Sequence, residues 1–95
     1  MKKTLSTAEK KLLRAKSYSL KPVVIIGQRG VSAAVLSEID ISLEAHELMK
    51  VRFRGADKEE RVRLTSSIAE KAGAELIYRI GAIAVFFRPA KNRRH

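Results

Sequence analysis

The stretch VVIIGQRGVSAAVLSEI, residues 23–39, changes character twice. Val23-Val24-Ile25-Ile26 is apolar and β-branched without alternation, the composition of a strand covered on both faces and often parallel to its neighbour. Gly27-Gln28-Arg29-Gly30 interrupts it, and Val31 to Ala45 then has helical spacing, with Val35, Leu36, Ile39 and Leu43 on one side. A strand entering a helix through two glycines places helix N-terminal N–H groups and bare backbone where an anion can sit. Arg29 adds positive charge there. The plain alternative is a tight turn that needs positive φ at Gly27 or Gly30.

Working outward, the helix carries Ser37, Asp40, Glu44 and Glu47 on its other side, an acidic face read as solvated; Ile41 falls on neither face. LMKVRFR alternates, with Met49, Val51 and Phe53 on one side and Lys50, Arg52 and Arg54 on the other, the pattern of a half-buried strand. Asp57 and Glu60 cap a third helix with Leu64, Ile68 and Ala72 inward, and Gly73 stops it. AELIYRI and IAVFF follow as a hairpin around Gly81-Ala82, where a leading glycine suits a II′ turn.

Upstream, a first helix starts near Ser6 or Thr7, with Leu5, Ala8, Leu12 and Ala15 on one stripe, Ser6 and Glu9 as a capping box, and SYSLKP as its break. The element order is α-β-α-β-α-β-β. Right-handed crossovers then put the second and third helices on one face of a four-stranded mixed sheet, an α/β (two-layer α+β) fold. The first helix is expected to cover part of the other face, accounting for a first strand apolar on both sides. A single domain over 1–88 and a basic, mostly unstructured tail over 89–95 complete the expected organisation.

Composition narrows the function. Twenty Lys+Arg against ten Asp+Glu give a net charge of +10 over 95 residues. Residues 1–30 carry eight basic and one acidic side chain, and residues 76–95 carry five basic and no acidic. Residues 31–75 carry seven basic and nine acidic. Positive ends around a slightly negative middle point to a polyanionic partner, a nucleic acid or an anionic surface. The absence of cysteine excludes disulfides, thiol catalysis and zinc fingers. No apolar run approaches the length of a membrane span, and the basic start lacks an apolar signal core, so a cytoplasmic protein is expected.

Catalytic patterns are missing. Neither G-x-G-x-x-G nor G-x-x-x-x-G-K-[ST] occurs, and His46 has Lys50, not histidine, at the second position of an H-E-x-x-H motif. Ser66 and Ser67 have no histidine base nearby in sequence, and no RNP signature marks an aromatic stacking platform. KH domains clamp nucleotide backbone with a G-x-x-G loop, the nearest physical parallel, although their loop joins two helices.

The segments LKPVVIIGQRGVS, EAHELMKVRF and GAELIYRIGAIAVFFRP, in this order, resemble the CRM domain (chloroplast RNA splicing and ribosome maturation). The likeness spans nearly the whole chain and is strongest to the stand-alone bacterial, YhbY-like form. It implies an RNA-binding fold similar to the C-terminal domain of translation initiation factor 3, associated in bacteria with precursors of the large ribosomal subunit. It also maps the family's RNA-contacting loop onto Gly27, Gln28, Arg29 and Gly30. Lys21, Lys50, Arg52, Arg54, Arg88 and Lys91 are added as candidate RNA contacts. The expectation is a monomeric, non-catalytic binder of ribosomal RNA, with no cofactor or metal. The alternatives are a phosphate-cradling small-molecule protein or enzyme, and a non-specific nucleic-acid binder.

Overall fold

The computed structural model describes residues 5–27 and 30–90. Seven elements follow the expected order: α1 (Thr7–Ser17), β1 (Val24–Ile26), α2 (Ala33–His46), β2 (Leu48–Phe53), α3 (Lys58–Ala72), β3 (Glu75–Ile80) and β4 (Ile83–Phe87). The helix signals in the sequence act as read. Ser6 and Glu9 form a reciprocal capping box on α1, Asp57 accepts from the Glu60 N–H on α3, and Gly73 ends α3 in the left-handed region. For α2 the cap is Ser32, whose side chain accepts from the Val35 N–H, so the helix begins two residues after the expected start.

The sheet order is β1-β2-β4-β3. β1 runs parallel to β2, while β4 is antiparallel to both β2 and β3. The hairpin strand β4 has therefore inserted between β2 and β3, which the α3 crossover had left parallel but apart. Gly81 has φ 54° and opens the two-residue turn.

The core lies between the sheet and the α2–α3 layer. Val24, Ile26, Met49, Val51, Phe53, Ala84 and Phe86 from the strands meet Ile39, Leu43 and Ile68 from the helices, all buried. Alternation along β2 sends Met49, Val51 and Phe53 inward, as its pattern predicts.

The first helix differs from expectation. Ala8, Leu12 and Ala15 are exposed, and Leu12 retains 60% of its accessible surface. The face that packs runs through Lys10, Leu13 and the fully buried Ser17, also at helical spacing. The Ser17 hydroxyl donates to the Arg14 carbonyl (2.7 Å) and lies 2.9 Å from the Tyr78 hydroxyl, while Lys10 pairs with Glu75 at 3.5 Å. Arg14 stacks over the Tyr78 ring, 4.7 Å from its centroid. Polar and aromatic partners on β3 thus choose the packed stripe, not the count of leucines and alanines.

α1 packs chiefly over β2 and β3 and leaves most of this face of β1 uncovered. Val23 and Ile25 are 55% and 52% exposed, so β1 is covered on one face only, contrary to the reading of its apolar run.

Candidate nucleic-acid interface

Parallel pairing of β1 with β2 brings their C-terminal ends to the same edge of the sheet, together with the β3–β4 turn. Arg54 N–H donates to the Ile26 carbonyl (2.8 Å) and Phe53 N–H to the Ala82 carbonyl (2.7 Å), which ties the three exits together. The Gly27–Gly30 turn stands on this platform, closed by a 3.0 Å bond from Gly30 N–H to the Gly27 carbonyl. Gln28 and Arg29, its central residues, lie outside the described residues.

The two glycines have different reasons to be there. Gly30 has φ +72°, a conformation that strains any residue with a Cβ. Gly27 has no positive φ, and a Cβ built on it would meet nothing within 4 Å. The turn therefore requires glycine at position 30 and leaves position 27 unexplained by the protein's own packing. What Gly27 provides is a bare strip of backbone facing outward, open to close approach by a ligand.

Of the cations expected beside this turn, Arg52 and Arg54 are there and exposed. Neither has an ion-pair partner among the described residues. Lys50 shares their strand face in sequence but not their role. It is half-buried, and its ammonium donates to the Leu20 carbonyl at 3.0 Å, pinning the α1–β1 linker to β2. Lys21, in that linker, is exposed at the end of the sheet away from the turn. Lys91 lies outside the described residues.

Arg88 corrects the reading most. It is 8% exposed, and its guanidinium donates to Asp40 Oδ1 (2.8 Å), the Ala72 carbonyl (2.9 Å), the Asp40 carbonyl (3.3 Å) and Glu44 Oε1 (3.5 Å). A buried guanidinium, bonded through both terminal nitrogens, joins the end of β4 to α2 and α3 and does not face solvent as an RNA contact would. By the same bonds, Asp40 and Glu44 are not simply a solvated face.

Glu47, the residue between α2 and β2, has φ 65°, the only non-glycine positive φ among the described residues. Its carbonyl accepts from Arg88 N–H (2.9 Å) and its carboxylate from Ala90 N–H (2.7 Å). The segment expected as a loose tail from residue 89 is thus held to Glu47 at Ala90. Sequence reading missed this latch, since neither Glu47 nor Ala90 belongs to a recognisable pattern.

A groove of about 510 Å³, bordered by Leu13, Leu20, Val23, His46 and Phe87, lies at the end of the sheet away from the Gly27–Gly30 turn. A phosphate on the turn would not share a site with a ligand in that groove. Among the described residues, no group of three or more His, Asp or Glu is placed to hold a metal, and no helix is long and apolar enough to cross a membrane.

Comparison with known proteins agrees with the layout. The chain is 37% identical over 91 residues to an RNA-binding protein of Haemophilus influenzae, covering 96% of this chain and 92% of that protein. It is 32% identical to a Pseudomonas aeruginosa protein named for RNA binding, over 93% of this chain and 88% of the relative. The fold superposes on the solution structure of a Staphylococcus aureus protein proposed to bind RNA, with a TM-score of 0.82 and 27% identity over 96% of this chain and 95% of the other. The family profile of the CRS1 / YhbY (CRM) domain matches residues 5–88. With the strand–glycine turn–helix junction in place on a β1-β2-β4-β3 sheet, the chain belongs to the CRS1 / YhbY (CRM) domain family.

Proposed function

We propose that this protein is a non-catalytic RNA-binding protein that holds RNA backbone at the Gly27–Gly30 turn. The observation that carries the reading is Gly27, whose missing side chain serves neither backbone conformation nor packing. A phosphate or ribose approaching the main chain supplies the reason. Arg52 and Arg54 supply charge beside the turn, Arg29 belongs to the turn's own sequence, and the net charge of +10 supplies long-range attraction. The relatives' names favour RNA over other polyanions. The likeness to stand-alone bacterial CRM proteins points further, to ribosomal RNA in precursors of the large subunit, acted on by a cytoplasmic monomer.

Gly27→Ala tests the core of this reading. The added methyl enters open space, so the melting temperature should hold within a degree or two while RNA affinity falls about tenfold. Unchanged affinity in the folded variant would reduce the turn to a structural device. The ribosomal assignment is tested separately by gradient sedimentation of a lysate at low salt. Co-migration with immature large subunits supports it, and a position only at the top of the gradient removes it.

A further inference from the structure

The register of the sheet places Ile25, Arg52, Ile83 and Ile80 side by side across all four strands, on the face opposite α2 and α3. This is the face that α1 packs on, but α1 stops short of the row. Ile25 and Ile80 are 52% and 62% exposed, Arg52 is exposed and Ile83 half-buried. Adjacent strands lie about 4.8 Å apart, so the row is roughly 14 Å wide, room for a nucleobase with its sugar. Ile25 precedes Gly27 by two residues, about 7 Å along the strand, so the row adjoins the turn.

The chemistry of the row selects its occupant. Exposed isoleucines on both sides of an arginine, with no carboxylate in the row, make a surface apolar in its flat parts and positive at its centre. Unpaired RNA bases are splayed out and stacked on aromatic rings or on arginine guanidinium planes, with their phosphates nearby. A neutral apolar partner would leave Arg52 desolvated and unpaired, at a cost a polyanion avoids.

We propose that this row receives an unpaired base of the RNA whose backbone the Gly27–Gly30 turn holds, with Arg52 as the stacking plane and Ile25 and Ile80 as its apolar flanks. The proposal rests on the RNA-binding reading of the turn and adds a ligand class: RNA with a bulge or loop in place of a continuous duplex.

The test uses two synthetic RNAs, a fully paired duplex and the same duplex carrying a three-uridine bulge. The parent protein should bind the bulged RNA at least tenfold more tightly. Ile25→Thr with Ile80→Thr keeps β-branched residues at exposed positions and should erase that preference while leaving duplex affinity unchanged. Arg52→Lys keeps the charge, removes the planar face and should reduce the preference at least threefold; it also stands alone should the double variant fail to fold. Gln28→Asp with Arg29→Asp should weaken both RNAs alike. If it weakens neither, the reading of the turn fails; if it weakens both but the parent never preferred the bulge, only the row proposal fails. Variants of the row that keep the full preference overturn it too. Should they instead abolish a self-association of the parent seen by sedimentation, the row belongs to a second copy of this chain, and the proposal is overturned in that way.

Discussion

At the end of the sheet where β4 leaves, Arg88, Glu47 and Lys50 are each bonded to a neighbouring element; at the end where β1 leaves, Arg52, Arg54 and Ile25 face solvent. Both ends are rich in cations, and composition alone does not tell them apart. What separates them is whether the folded chain offers an acceptor. Near β4, the carbonyl of Ala72 and the carboxylates of Asp40 and Glu44 converge on one guanidinium, and its burial is tolerable only because they do. Near β1, the glycine turn places bare backbone beside arginines that have no ion-pair partner among the described residues. The first end holds the fold; the second is left for something else to complete.

The sharpest way to break this contrast is to exchange the effects of changes at the two ends. Gln28→Asp with Arg29→Asp puts two negative charges where phosphate is to approach and should cost several kcal/mol of RNA binding, with no change in melting temperature. Thermal melting and filter binding on the same sample check both halves. Should that variant lose stability instead, the open end is structural and the contrast is lost.

At the tied end, Arg88→Met should lower stability by about 2–3 kcal/mol, a melting shift of roughly 10–20 °C for a domain of this size. The figure is set below that for a wholly buried pair because the Asp40 side chain is 57% exposed and can be rehydrated. RNA affinity per folded molecule should stay the same. A loss of affinity without a loss of stability would return Arg88 to the RNA surface.

Glu47 offers a finer test, because its strain and its hydrogen bonds can be separated. Glu47→Ala keeps the unfavourable φ of 65° and loses the carboxylate that holds Ala90, at a cost of about 1–2 kcal/mol. Glu47→Gly loses the same bond but relieves the backbone, and should be more stable than the alanine variant by about 0.5–1 kcal/mol. Chemical denaturation resolves the difference. The reverse order would mean that the left-handed conformation is not held against strain.

The smallest expected effect sharpens the contrast between Lys50, within β2, and Arg54, just past its end. Arg54→Ala should reduce the slope of log affinity against log salt by roughly 0.7–0.9, the loss of one phosphate contact, with stability unchanged. Lys50→Met should leave the slope alone and cost about 1 kcal/mol of stability through the lost bond to the Leu20 carbonyl. Salt titrations of the two variants, run side by side, decide whether the two roles are divided within four positions of the chain.

Legibility varied with the range of the forces involved. Helix caps at Ser6 and Asp57, the stop at Gly73 and the hairpin at Gly81 were readable because each depends on atoms within a few residues. The inward set of β2 was readable because pleating alternates regardless of partners. The packed face of α1 was not. A serine and a lysine on its inner side are accounted for only by Tyr78 and Glu75, more than sixty residues away in sequence. The apolar run of β1 misled for a related reason: whether its second face is covered depends on where α1 comes to rest.

The sequence by itself determined the order of the elements, the glycine turn between β1 and α2, the excess of positive charge and the membership of a family, since these are carried by local pattern and composition. It could not rank its cations. Lys50, Arg52, Arg54 and Arg88 are chemically alike as letters, and only the tertiary structure decided that Arg88 and Lys50 hold elements together while Arg52 and Arg54 stay open. Likewise only the fold separated Gly30, which the backbone needs, from Gly27, which it does not. The physical reason is the same in both cases. A charge or a missing side chain acquires its role from the atoms that surround it, and those atoms come from strands and helices that the chain brings together only on folding.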